Sequence, residues 1–208
     1  CRNELWDYLD PVIADRKVNP TDDVISNLIH DEVDGIKMTE DQIKSHVGIM
    51  FTAGSSTTHD SLGNILYALL SNRDNWEKVK IYPELRPLAI EEALRWESAV
   101  SMLPRMSNKE TDIEFGGVTI KANTFVMFGI CGANHDPSVF NDPHDYKIGR
   151  KVEKMRTFGP GPRMCPGMHL ARKELSVIID LLIEKFSNLH LQDIAKSQPC
   201  GTIFRSPQ

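Results

Sequence analysis

The stretch Phe158-Gly159-Pro160-Gly161-Pro162-Arg163-Met164-Cys165-Pro166-Gly167 concentrates the residues that could do chemistry. Its glycines let a backbone turn tightly and approach a flat ligand, and its three prolines stiffen the turn. Cys165 stands just ahead of a helix predicted from about Met168 to Phe186. Unpaired backbone N–H groups and the helix dipole favour negative charge at such a place. A thiolate there is either a nucleophile or a soft metal ligand. A nucleophile needs a base, and only His169 is near, with no oxyanion motif beside it. Arg163, two residues before the cysteine, is suited to a carboxylate. The other cysteines, at 1, 131 and 200, are too widely spaced for a zinc cluster or a disulfide framework. Cys131 and Cys200 are expected to be buried and inert.

Two more groups of residues stand out. In Glu92-Ala93-Leu94-Arg95 the charges are one helical turn apart and can pair on one face. In Ala53-Gly54-Ser55-Ser56-Thr57-Thr58, six small or hydroxylated residues interrupt an apolar helical pattern. They are poor helix formers on the whole, so a ligand or a closely packed helix wants small side chains there.

In this order, these residues resemble the cytochrome P450 family. The family's haem loop, F-x-x-G-x-R/H-x-C-x-G, is matched at every fixed position by Phe158, Gly161, Arg163, Cys165 and Gly167. The resemblance implies haem b, with Cys165 as the thiolate ligand of its iron, donating electron density that assists O–O cleavage. Phe158, Gly159, Gly161, Gly167 and Ala53 would line the cofactor, and Arg105 and Arg163 would bind its propionates. Leu103-Pro104-Arg105, Phe115-Gly116-Gly117-Val118-Thr119-Ile120 and Ala133-Asn134-His135-Asp136-Pro137 look like the soluble bacterial-type branch. The E-x-x-R element implies a buried triad of Glu92, Arg95 and Arg150.

The segment from Ala53 is similar to the family's oxygen-activation pattern, A/G-G-x-D/E-T-T/S. Thr57 would hold water and protons beside dioxygen, and Gly54 would open the helix groove. The usual acid is replaced by Ser56, whose hydroxyl cannot relay protons as a carboxylate does. Asp60, four residues on, falls on roughly the same helix face. The resemblance places Ile49, Ala53, Val100, Ser101, Met102 and Ile203 near a substrate pocket, and their mostly apolar character implies an apolar small-molecule substrate.

The function so implied is a haem-thiolate monooxygenase. It would insert one oxygen atom of O2 using electrons that come ultimately from NAD(P)H. Residues 150–173 hold seven cations against Glu153 alone, although the whole chain carries a net charge of −5. Such a face suits an acidic ferredoxin or flavodoxin, and its arginines suit internal ion pairs equally well. The alternatives are non-standard chemistry owing to Ser56 (peroxide-driven, reductase or isomerase) and a non-catalytic haem-binding half-domain.

The elements that must position these groups follow from periodicity. Helices are predicted over 4–17, after a Thr21 cap through Val24, Ile25, Leu28 and Ile29, from Thr39 to about Leu70, and over 73–81 and 87–97. Pro104 is expected to end that helical region. Strands are predicted at Ile113–Val118 and Thr124–Phe128 with Gly116-Gly117 as the turn, then a long loop over 134–162 and a strand or loop after Leu191. The predicted fold is mainly α with small β-sheets, one haem-thiolate domain over 1–208. It corresponds to the C-terminal half of the P450 fold, with the N-terminal half absent and supplied by the same or a separate chain. With 208 residues, 40% apolar and 25% charged, the chain is globular rather than disordered. Its acidic balance argues against a nucleic-acid surface. No apolar run is long enough for a membrane span, no secretory signal is visible, and cysteine usage fits a reducing, cytoplasmic setting.

Overall fold

The structure, a computed structural model, describes residues 2–207. The chain forms two compact units that divide between Ser56 and Thr57. The described residues are mainly helical, with three two-stranded antiparallel sheets.

The first unit holds α1 (Arg2–Val18), α2 (Val24–His30), a short hairpin of β1 (Glu32–Val33) and β2 (Ile36–Lys37), and the part of α3 (Glu40–Leu70) that precedes Thr57. Leu9 and Ile13 lie one turn apart on α1, Ile43 and Val47 likewise on α3, and the four are buried together. The start of α3 follows the expectation for Thr39. Its Oγ1 accepts from Gln42 N–H at 3.3 Å, and Thr39 N–H donates to Gln42 Oε1 at 2.8 Å, a reciprocal capping box. The cap of α2 differs from expectation. Asp23, not Thr21, accepts from Ser26 N–H at 2.7 Å, and Thr21 donates its hydroxyl to Asp23. A carboxylate with two acceptor oxygens meets both the helix end and its neighbours, which one hydroxyl cannot do.

The second unit holds the rest of α3, then α4 (Arg73–Ile81), α5 (Leu85–Trp96), β3 (Met102–Met106), β4 (Ile113–Phe115), β5 (Val118–Ile120), β6 (Phe125–Gly129), α6 (Ile130–Asn134) and α7 (Met168–Lys185). Its core joins Ile65 and Leu69 of α3, Trp76 and Val79 of α4, Ala89, Ile90, Ala93 and Leu94 of α5, and Leu175 and Ile179 of α7. The last pair repeats at i, i+4, so α7 presents one apolar stripe to α5.

Two strand expectations are corrected. The helical region closes earlier, with α5 at Trp96, and Pro104 sits inside an unpredicted strand, β3, opposite Met127 of β6. A sheet of only two strands leaves one side of β3 unpaired, where a residue without an N–H is tolerated. The predicted strand from Ile113 to Val118 is the hairpin β4–β5, with Phe115 opposite Val118 across Gly116-Gly117. The tail returns to the molecule through single bridges, Val100 to Phe204 and Cys200 to Ser206. Cys200 is exposed rather than buried.

Candidate functional site

Between α6 and α7 the chain runs mostly without regular structure, so its polar backbone must be satisfied by other means. Glu92, on α5, does much of this. Its carboxylate is fully buried and accepts from Arg95 Nε at 2.8 Å and Nη2 at 2.9 Å, from Arg150 Nε at 2.8 Å and from the Lys147 N–H at 3.0 Å. Arg95, equally buried, donates onward to the carbonyls of Asn134, Pro143 and Asp145. Arg150 donates to those of Asn141, Asp142 and Asp145. The structure thus brings Glu92, Arg95 and Arg150 into one network that fixes the loop against α5.

A second buried hub passes the order on to the cysteine loop. The Asn134 amide donates to Ser98 Oγ at 2.9 Å and to Thr157 Oγ1 at 3.0 Å, and its Oδ1 accepts the Arg156 N–H at 2.6 Å. Thr157 donates to the Leu94 carbonyl at 2.8 Å. These contacts hold residues 156 and 157, immediately before Phe158. The sequence reading assigned no role to Asn134, Ser98 or Thr157. An Asn closing a short helix before His-Asp-Pro was the available signal.

The loop then turns on Gly159 (φ +72°) and Gly161 (φ +71°), left-handed conformations that disfavour a Cβ. A single 3-10 turn covers Gly161–Arg163, and Met164 N–H bonds to the Gly161 carbonyl at 3.0 Å. Cys165 N–H donates to the Phe158 carbonyl at 2.8 Å, which closes the loop and sets the cysteine just ahead of α7. Its thiol is free and half-buried. A Cβ on Gly167 would stand 4.0 Å from Sγ, in ordinary van der Waals contact, so the glycine spares the sulfur that one neighbour. Phe158, Gly159, Gly161, Arg163, Cys165 and Gly167 are therefore gathered in one loop.

Arg105, on β3, and Arg163 are both exposed, and no carboxylate among the described residues pairs with either. Arg105 spends one N–H on the neighbouring Pro104 carbonyl. Val100, Ser101, Met102 and Ile203 come together in the second unit. Ser101 N–H donates to the Ile203 carbonyl at 2.8 Å, and its Oγ donates to the Thr202 carbonyl. Beside them lies a cavity of about 590 Å³ lined by Trp96, Met102, Cys131, His135, His144 and Thr202 among others. Burial there pushes the Cys131 thiol up and the His135 imidazole down from their usual values. Cys131 is thus kept neutral, in keeping with an inert role.

Ile49, Ala53, Gly54 and Ser56 lie on α3 in the first unit, and Thr57 begins the second unit. A Cβ at Gly54 would meet nothing within 4 Å. Ser56 Oγ donates back to the Thr52 carbonyl at 3.3 Å. The basic segment is less bare than its composition implies. Arg150 is held by Glu92, and Arg172 by Glu91. Lys151, Lys154, Arg156, Arg163 and Lys173 have no acidic partner among the described residues.

The family model for cytochrome P450 matches residues 1–81 and 84–206. The chain belongs to the cytochrome P450 family. Among curated relatives, this P450 chain is similar to the polyketide biosynthesis cytochrome P450 PksS of Bacillus subtilis, at 36% identity over 90% of the chain and 46% of the relative. It is also similar to a steroid C26-monooxygenase of Mycolicibacterium smegmatis, at 34% identity over 91% of the chain and 47% of the relative. Among solved structures, the P450 CYP109Q5 from Chondromyces apiculatus superposes with a TM-score of 0.92 at 31% identity, covering 99% of this chain and 53% of that one. The chain spans about half the length of the curated relatives it matches, so its fold is half of the P450 fold.

The family implies haem and dioxygen. The residues present fit a haem in three respects. A free, half-buried thiol suits iron. Two unneutralised guanidinium groups suit two propionates. Glycines at 159 and 161 allow a flat face to come close to the backbone.

Proposed function

We propose that this chain is the haem-thiolate portion of a P450 monooxygenase that acts on an apolar small molecule. The observation that carries the proposal is the Cys165 loop: a free thiol, anchored through its own N–H, with no side chain on the Gly167 flank. When bound, haem b supplies dioxygen activation and one-electron chemistry. The chain's residues do the rest. Cys165 would bind the iron, with Phe158, Gly159, Gly161 and Gly167 beside it in the same loop. Arg105 and Arg163 hold the propionates. Thr57 holds water and a proton at its Oγ1. Val100, Met102 and Ile203 would exclude water from the substrate. The steroid and polyketide names of relatives support an apolar substrate. The other half of the fold would come from the same or a separate chain. No described helix is long and apolar enough to cross a membrane, and a cytoplasmic setting belongs to this proposal.

The test is the absorption spectrum of the reduced, carbon-monoxide-bound protein after haem loading. A red-shifted Soret band is expected for the native chain, and Cys165→Ser should abolish it. A colourless native protein, or a serine variant with an unaltered band, would refute the proposal. Electrons, ultimately from NAD(P)H, would arrive through an acidic ferredoxin or flavodoxin on the face that carries Lys151, Lys154, Arg156 and Lys173. Its rate of reduction should fall as ionic strength rises, and a rate indifferent to salt would remove that partner.

One observation favours a second reading. The Ser56 hydroxyl is turned to its own helix backbone and stands where the family pattern has an acid. Proton delivery would then depend on water, or the chemistry would be peroxide-driven. Ser56→Asp should raise the product formed per reducing equivalent with O2. No change would leave position 56 without a role in proton delivery.

A further inference from the structure

Arg172 lies on α7, seven residues after Cys165, within the segment whose charge pointed to a docking face. It does not face outward as a free cation. Its Nε donates to Glu91 Oε1 at 2.6 Å and its Nη2 to Glu91 Oε2 at 2.9 Å, a bidentate pair with α5. Its guanidinium carbon stands 4.6 Å from the centre of the Phe158 ring. Two parallel bonds fix the plane of a guanidinium, and a fixed cation over an aromatic face is attracted to it. Both charged side chains are about two-thirds or more covered, at 32% and 26% exposure, so the attraction is only partly screened.

Phe158 is the residue on which this clamp closes, and Phe158 also supplies the carbonyl that accepts the Cys165 N–H. The ring borders a cavity of about 550 Å³ whose walls include Leu88, Met155, Met164 and Met168. On its other side the ring packs against the core of the second unit. The glycine after it adds freedom to the backbone. The Arg172 plane therefore bears on the side chain of the residue whose backbone carbonyl holds the Cys165 N–H.

We propose that Arg172, held by Glu91, is a positioning residue for the sulfur of Cys165 and acts through Phe158. The proposal rests on the haem-thiolate reading for its purpose. The clamp itself exists in the chain without haem, which lets the two be tested apart. An ordinary helix–helix ion pair would only raise global stability. A positioning clamp also orders the cysteine loop ahead of the rest of the unit.

The experiment is backbone hydrogen exchange at Cys165 in the full chain, before and after loading with haem, for the native protein, Arg172→Met and Arg172→Lys. Arg172→Met is expected to speed exchange of the Cys165 amide by about tenfold while Leu175 and Ile179 on the same helix stay unchanged, a local opening. Lysine keeps the cation but not the planar fork, so it should restore part of the protection. After haem loading, the methionine variant should show a smaller share of the thiolate-type carbon-monoxide band. Glu91→Gln provides the same comparison if the methionine variant does not fold. The proposal is overturned if Cys165 exchange stays within about twofold of native, or if Leu175 and Ile179 accelerate equally. A native chain that takes up no haem would refute the haem reading, while the exchange measured without haem would still decide the clamp.

Discussion

Replacing Glu92 by Gln isolates the electrostatic part of the α5 network with little change of shape. The glutamine carbonyl can stand in for Oε1, which accepts three hydrogen bonds, from Arg95, Arg150 and Lys147. Its NH2 group then replaces Oε2 and points a donor at Arg95 Nε, which now donates to that oxygen at 2.8 Å. More important, two guanidinium groups whose side chains are 0% and 9% exposed lose the anion between them. Leaving a buried charge without its partner costs about 3–5 kcal/mol. The whole stability of a domain is about 5–15 kcal/mol. For a chain of this length that loss is a fall in Tm of about 6–20 °C. Thermal unfolding followed by far-ultraviolet circular dichroism measures the fall, and limited proteolysis should show cutting within 134–150 at temperatures where the native chain resists. A loss below about 1 kcal/mol, the worth of an exposed ion pair, would refute the claim that Glu92 organises this loop.

Three other outcomes are expected. Asn134→Ala strands Ser98, Thr157 and the Arg156 N–H and should cost about 1–3 kcal/mol, read as a lower denaturant midpoint. Leu175→Ala empties a fully buried position between α7 and α5 and should cost about 2–5 kcal/mol in the same assay. Asp23 has its carboxyl held well below the usual range by the Thr21 hydroxyl, Arg16 and the Ser26 N–H. A folded-state value below the unfolded one gives stability that is present above about pH 4 and is lost as pH falls further. Asp23→Ala should therefore flatten the acid side of the stability profile, and a profile as steep as the native one would contradict this.

What the sequence disclosed was mostly local or motif-borne. The i, i+3 spacing of Glu92 and Arg95 and the apolar repeats of α3, α4, α5 and α7 are visible within a few residues, and the haem loop is a contiguous pattern. What it concealed was long-range. Nothing near Arg172 reveals that it meets a carboxylate on α5, 81 residues away, and for Arg150 only the family resemblance, not its neighbours in the chain, pointed to Glu92, 58 residues away, so the basic segment looks more exposed than it is. Asn134 has no periodicity to betray it, because its worth lies in partners from two distant stretches of chain, Ser98 and the neighbours Arg156 and Thr157. Pro104 looks like a terminator, and only the pairing of β3 with β6 shows it inside a strand. Thr21 and Asp23 both suit a helix cap, and two residues of register decided between them.

Apart from the Phe140 ring, 5.2 Å from the Arg95 guanidinium carbon, Arg95 and Arg150 grip the segment 134–145 by carbonyl oxygens, those of Asn134, Asn141, Asp142, Pro143 and Asp145. Every amino acid carries that group, so the grip is indifferent to the identity of the side chains along much of this stretch. Substitutions at 141 and 143 that preserve the backbone path should pass almost unnoticed, whereas adding or removing one residue would throw all the oxygens out of step with the two forks. Latitude in composition is thereby joined to intolerance of altered length.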